Sequence, residues 1–200
     1  MGLLTSCYYH VMEGNGRLVS EERMVREFDA VVLNGIGNVT IHPGAGCMNN
    51  NHPGAGCCRD NDYQVVVTTD SNIVDLVTIE INRNTLYIDQ QSFSGIHPTK
   101  LEIDVYMPVV RSVNLKGVGN ITINDGNTSI FEVSLSGVGK IDARQYQCRN
   151  IDVRHSGTGD VIVWANDTLT GRLSGVGDIV YRGNPRETIR RTGVGKVRRL

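Results

Sequence analysis

Large rings are scarce in this chain: one tryptophan and three phenylalanines stand among 200 residues, beside seven tyrosines. A core without them is narrow and filled by Val, Ile and Leu, and the 23 glycines suit one with many tight bends. Charge of one sign is missing too. Twenty Lys and Arg against 21 Asp and Glu leave a formal net charge of -1, so no global field draws in nucleic acid. No run of 18 apolar residues occurs, which excludes a membrane-spanning helix. The five cysteines, Cys7, Cys47, Cys57, Cys58 and Cys148, are too few for a disulfide-built scaffold. Two hundred residues make one domain with room for a proper core.

What is present is a repeat. The phrase Gly-x-Gly occurs as Gly117 with Gly119, Gly137 with Gly139, Gly157 with Gly159, Gly175 with Gly177, and Gly193 with Gly195. Successive copies are 20, 20, 18 and 18 residues apart, and an outlying copy pairs Gly35 with Gly37. Apolar residues alternate on both sides of it: Val113, Leu115, then Ile121, Ile123; Val31, Leu33, then Val39, Ile41; Val133, Leu135, then Ile141. Period-two alternation marks strands with one buried face, and paired glycines between them mark structural bends where backbones approach closely. A nucleotide-binding loop needs a helix after its glycines; here more strand follows each copy. A strand repeat of about 18–20 residues predicts an all-β, single-stranded parallel β-helix, a solenoid of about nine coils over residues 31–200. Residues 1–25 form an N-terminal segment and cap, and residues 26–200 the β-helix domain, with a loop insertion at 42–62.

That insertion repeats itself: His42-Pro-Gly-Ala-Gly-Cys47, then His52-Pro-Gly-Ala-Gly-Cys57, followed by Cys58. Imidazoles and thiolates together suit zinc or copper, so His42, Cys47, His52, Cys57 and Cys58 are candidate metal ligands. A disulfide from Cys47 to Cys57 or Cys58 is the competing use, and a duplicated loop without special chemistry the third. At the start, Leu4-Thr5-Ser6-Cys7 resembles the lipobox of bacterial lipoproteins, which makes Cys7 a candidate lipidation site with the true start upstream of Met1.

Within the repeat, His155 stands where other frames carry Leu115, Leu135 and Leu173: either a pocket acid or base, or a histidine satisfied by backbone carbonyls. Trp164 has outward parity and could stack on a sugar. Arg190, Arg191, Lys196, Arg198 and Arg199 make the last repeat basic, as a water-facing cap or as an attraction for anionic headgroups or acidic glycans. Sequons at Asn38, Asn120, Asn127 and Asn166 fit an outward strand pattern without a glycan.

The recurring frame, together with Phe28-Asp29-Ala30-Val31, Thr85-Leu86-Tyr87-Ile88 and the strand Leu101–Met107 closed by Pro108, resembles the head GIN domain family over residues 26–200. These are bacterial envelope proteins that carry the name of auto-transporter adhesins. The resemblance implies a right-handed β-helix, export from the cytoplasm, often a lipoprotein signal, and no catalytic residues. The His/Cys loop departs from the family pattern.

Three functions compete. The first is a non-enzymatic, surface-displayed adhesive or structural module in the cell envelope. It needs no cofactor and takes a glycan or surface protein, or a second copy of itself, as partner, touching a membrane only through a lipid anchor. The second is a metal or redox module on the 42–58 loop. The third is a carbohydrate-active enzyme using Asp142, Asp152 or Asp160, which have no catalytic partner discernible in the sequence. The first is favoured.

Overall fold

The computed structural model describes residues 11–44, 63–91 and 95–200. Four strands open the chain: β1 (Val11–Glu13), β2 (Leu18–Val25), β3 (Ala30–Leu33) and β4 (Ile36–Pro43). The middle holds β5 (Tyr63–Asp70), a single 3-10 turn (Val74–Leu76), β6 (Val77–Asn82), β7 (Thr85–Gln90), β8 (Gly95–His97) and β9 (Leu101–Met107). The repeat run forms β10 (Ser112–Leu115), β11 (Val118–Ile123), β12 (Gly126–Leu135), β13 (Val138–His155), β14 (Val161–Leu173), β15 (Ile179–Arg182), β16 (Arg186–Arg191) and β17 (Val197–Arg199). β1 and β8 make a two-stranded ribbon; the other fifteen strands join in one sheet.

The single-stranded parallel β-helix of about nine coils is not what the chain forms. The sheet is mixed and wraps into a nearly closed, barrel-like body. β2 pairs antiparallel with β5, β5 antiparallel with β9, and β6 antiparallel with β7. The reason lies in residues 63–107, where the glycine phrase is absent. β6 and β7 instead meet across Arg83 and Asn84, both with positive φ (47° and 62°), the two-residue loop that turns a strand straight back on itself. Sequence order is broken as well. β3 and β4 lie between the middle segment and the repeat run: β3 pairs parallel with β7 on one side and β10 on the other, and β4 with β9 and β11, with Val31 opposite Val113 and Gly37 opposite Gly119. The outlying glycine phrase is therefore contiguous in space with the C-terminal run.

The glycine phrases do not corner a solenoid of nine coils, but they do stack on one another. The first glycines stack at one level. A Cβ on Gly117 would meet Gly35 O, one on Gly137 Gly117 O, one on Gly157 Gly137 O, one on Gly175 Gly157 O, and one on Gly193 Gly175 O. The second glycines, Gly37, Gly119, Gly139, Gly159, Gly177 and Gly195, share a positive φ between 127° and 159°. Gly177 lies against Gly159, and Gly195 against Gly177, so the last two copies continue the column that starts at Gly37. From the Gly157 copy onward the phrase is joined to its neighbours by isolated bridges, Val138 to Thr158, Thr158 to Val176 and Val176 to Val194, where the earlier copies run on into strand.

Within that run the repeats align in register. Val31, Val113, Val133 and Val153 form one inward row, and Leu33, Leu115, Leu135, His155 and Leu173 another. Each of these is at most 1% exposed. Burying one such aliphatic side chain stabilises the fold by about 1.5–3 kcal/mol, so the rows are the main reason the sheet closes on itself. The 18-residue β13 bends midway. Its first part (138–142) pairs with β11 and its last part (146–155) with β12, which joins the two flanks of the sheet. Tyr146 stands at the bend, fully buried. Its hydroxyl donates to Val110 O (2.9 Å) and accepts from Val110 N–H (3.1 Å), and its ring meets Phe131 edge-on at 5.4 Å. Burial pushes the Tyr146 pKa up to about 12.

Candidate functional site

Alternation that sends Val and Leu inward sends every second side chain out onto flat lateral faces. On the flank built by β10, β12, β13, β14 and β16, one outward row reads Asn114, Ser134, Arg154, Arg172, Arg190, each residue directly opposite the next. The row beside it reads Ser112, Glu132, Asp152, Thr170, Thr188. Arg154, Arg172 and Arg190 are all exposed. Arg154 Nε meets Asp152 Oδ2 at 3.1 Å, whereas Arg172 and Arg190 pair with no carboxylate among the described residues. A cleft of about 320 Å³ opens here, lined by Asp152, Arg154, His155, Ser156, Arg172 and Ser174, with Gly171 at its floor.

The two departures from the inward pattern lie at this cleft. Gly171 replaces the valine of the preceding rows, opposite Val153, with φ at +137° and no room for a Cβ, which would sit 1.9 Å from Val153 O. His155 replaces a leucine. Its Nε2 bonds the Gly159 carbonyl, and its Nδ1 is buried without a partner among the described residues. An orphaned buried polar atom costs about 1–3 kcal/mol. His155→Leu restores the leucine row of Leu115, Leu135 and Leu173, and its melting temperature is expected to rise by about 2–4 °C. A fall in the melting temperature would show instead that the Gly159 contact outweighs the orphaned nitrogen.

The aspartates considered for catalysis are not brought together. Asp142 lies on the β11 flank between Lys140 Nζ (3.0 Å) and Arg144 (2.7 Å). Burial pushes its pKa up, but the Arg144 and Lys140 hydrogen bonds outweigh this and hold it below the ordinary value. Asp152 pairs with Arg154 on the other flank, and Asp160 Oδ1 accepts from Asp178 N–H at 2.8 Å. Asp178 likewise accepts from Lys196 N–H (2.9 Å) and Arg198 Nε (3.2 Å). The backbone hydrogen bond from Lys196 and the Arg198 bond hold its pKa low.

Of the His/Cys loop, Cys47, His52, Cys57 and Cys58 lie outside the described residues, as does Cys7. His42 is held near the C-terminal end of β4, half-buried between β9 and β11. Its Nε2 is 2.8 Å from Asp104 Oδ1, its Nδ1 is 3.0 Å from Asn124 Nδ2, and its ring stacks on Tyr106 at 4.6 Å. Both ring nitrogens are engaged, so a metal at this loop would have to draw His42 away from one partner. Asp104 and Asn124 carry no sequence signal of this arrangement, being 62 and 82 residues from His42. Cys148 is a buried free thiol whose pKa burial pushes up to about 12, which leaves it unreactive.

Trp164 is outward and half-buried, with the Arg182 guanidinium 4.6 Å over its ring, so one face is already covered. The basic C-terminal residues divide. Arg190 belongs to the arginine row, Arg191 stands opposite Leu173 on the same flank, and Arg198 and Arg199 stand with Lys196 on the β15 flank. Asn38 and Asn120 form an amide ladder, Asn120 Nδ2 donating to Asn38 Oδ1 at 2.9 Å. Sequence reasoning missed the arginine row as a unit. Its signal is the 18-residue spacing of Arg154, Arg172 and Arg190, the same period as the glycine phrases beside it.

The described residues form a nearly closed, all-β body with polar lateral faces. The chain belongs to the family described as "Putative auto-transporter adhesin, head GIN domain", whose model matches residues 58–134 and 112–185. It is similar in structure to a "putative adhesin" from Bacteroides fragilis, with a TM-score of 0.61 at 19% identity, over 94% of this chain and 100% of that one. A "putative adhesin" from Parabacteroides merdae aligns at TM-score 0.47 and 16% identity, over 96% of this chain and 99% of that one. No functionally curated protein matches the sequence. At such identities the likeness shows the fold alone, while the family match bears out the resemblance read from the glycine frames.

Proposed function

We propose that this protein is a non-enzymatic, adhesin-like binding module of the bacterial cell envelope, held at a membrane through Cys7. The observation that carries this reading is the lateral face itself. In-register rows of Asn, Ser, Thr, Asp and Arg run across five strands on the outer face, half-buried at Ser112, Asn114 and Ser134 on the first strands and exposed at Arg154, Arg172, Arg190, Thr170 and Thr188. A long flat surface of repeated polar groups suits contact with an extended or repetitive ligand, and it needs no reacting group. The engagement of Asp142, Asp152 and Asp160 in ion pairs or backbone hydrogen bonds also favours binding over catalysis. Family membership supports the envelope location.

Fractionation of the native host is the test. The expected result is recovery in the envelope fraction, loss on mild protease treatment of intact cells, and an intact mass carrying an acyl-glyceryl group on Cys7. Recovery in the cytosol would overturn the reading. So would turnover of a polysaccharide by the purified chain that Asp152→Asn or Asp142→Asn abolishes.

A further inference from the structure

We infer that the Arg154–Arg172–Arg190 row, with the cleft over Gly171, is a binding site for a linear acidic polysaccharide lying across the strands. The inference rests on the adhesin-like reading and names its ligand class. Neighbouring strands are spaced by about 4.8 Å, so three guanidinium groups in consecutive register present positive charge at about that interval over roughly 10 Å. Like charges directly opposite each other on a sheet destabilise it. The same row carries Asn114 and Ser134 on the two strands before Arg154, so neutral side chains fit these positions and the arginines are a cost to the fold. They also stand out against a chain of net charge -1.

Asp152 neutralises Arg154 in part, which leaves Arg172 and Arg190 as the free cations of the row among the described residues. Arginine forks bind carboxylate or sulfate oxygens through two parallel N–H bonds. The cleft between Arg154 and Arg172 adds Ser156 and Ser174, whose hydroxyls match sugar hydroxyls. At about 320 Å³ it lies at the lower end of the range for small-ligand clefts, the scale of one ring of a polymer and not of a whole ligand. Gly171 lines the cleft in place of the inward valine carried by the four preceding strands of its row, its backbone at φ +137° lying too close to Val153 for any Cβ. The loss of an inward valine and of an inward leucine both fall at this place.

The test uses the full chain and immobilised polygalacturonate and heparin, with dextran as the neutral polymer and phosphatidylglycerol vesicles as the anionic membrane. Two charge-matched triple variants are compared. The row variant combines Arg154→Ser, Arg172→Ser and Arg190→Ser; the control combines Arg182→Ser, Lys196→Ser and Arg199→Ser on the other flank. Serine is the residue at Ser134 in the same row, so the row variant should fold with an unchanged or higher melting temperature. Wild type is expected to bind the acidic polymers in a salt-dependent way and to leave dextran unbound. The row variant should lose affinity at least about tenfold while the control variant stays within about twofold. Four results would overturn the inference: no acidic polymer bound, equal binding of dextran, preference for the vesicles, or equal loss in both variants. Fractionation is independent of all four, so an envelope protein that binds no acidic polymer would sink this inference and leave the proposed function standing.

Discussion

Gly139→Ala is expected to melt about 10 °C or more below the wild type, because it combines backbone strain with overlap that cannot relax. Gly139 has φ +141°, a region that residues with a Cβ rarely enter. A Cβ built there lies 1.6 Å from Gly119 O and 2.7 Å from Gly119 C. Both are backbone atoms of the adjacent strand, so no side chain can swing away. Relief requires β11 and β13 to separate at the corner, where Val138 N–H donates to Gly117 O and Gly139 N–H to Thr158 O, each at 2.9 Å. Strain of about 1–3 kcal/mol and overpacking of similar size add to a loss in the exceptional range for one substitution. Gly16→Ala is the control. Its φ is +74°, yet nothing lies within 4 Å of the added carbon. Left-handed backbone alone costs about 1–2 kcal/mol, a fall of only a few degrees. Thermal unfolding of both variants decides the matter; equal losses would mean that conformation, not close stacking, sets the glycine requirement.

Stacking is also what makes the second half of the chain readable. Where the glycine phrase recurs, alternation and spacing together say which residues face inward and which strand lies opposite which: Val133 opposite Val153 and Gly119 opposite Gly139 follow from a shift of 20. Alternation alone supplies the first of these and not the second. For β5, β7 and β9 the inward set, including Val65, Val67, Leu86, Ile88, Ile103 and Val105, stands out in the sequence and is buried. Their partners do not, since an antiparallel and a parallel neighbour bury the same residues. The parallel β-helix failed on that point. His42 shows the same limit at a site: its type and position are visible, but the carboxylate and amide that hold it come from strands far along the chain. The arginine row was within reach because its members share the period of the glycines. A histidine and a glycine breaking two aliphatic rows next to it were the second clue.

Replacement of Asp70 is expected to have the largest effect after Gly139. Asp70 is fully buried at the end of β5. Its carboxylate accepts from Gly16 N–H (2.7 Å), Thr99 N–H (2.7 Å) and the Thr99 hydroxyl (2.8 Å), tying the residues just before β2 and β9 to the end of β5, where the Leu18–Asp70 and Thr69–Leu101 pairs end the ladders. Burial pushes its pKa up, but the bonds from Thr99 and Gly16 outweigh this and hold it below the ordinary value of 3.8. Asp70→Asn keeps the shape while turning an NH2 group toward donors that need an acceptor. At pH 7 the variant is therefore expected to melt well below the wild type. A folded pKa below the unfolded one contributes stability that is fully present above the unfolded value and is lost as pH falls through the folded value. The gap between the two proteins should accordingly be wide at pH 7 and pH 5, begin to narrow below about pH 4, and close as pH falls through the folded value, where the wild-type carboxyl takes up its proton. Asp142 and Asp178, whose pKa values are also held low, remain in both proteins, so the difference isolates Asp70. A gap of constant size from pH 7 to pH 3 would mean that shape, not charge, is what the site requires; no gap at any pH would mean that the three donors find other acceptors, and that Asp70 does not fix the segments that lead into β2 and β9.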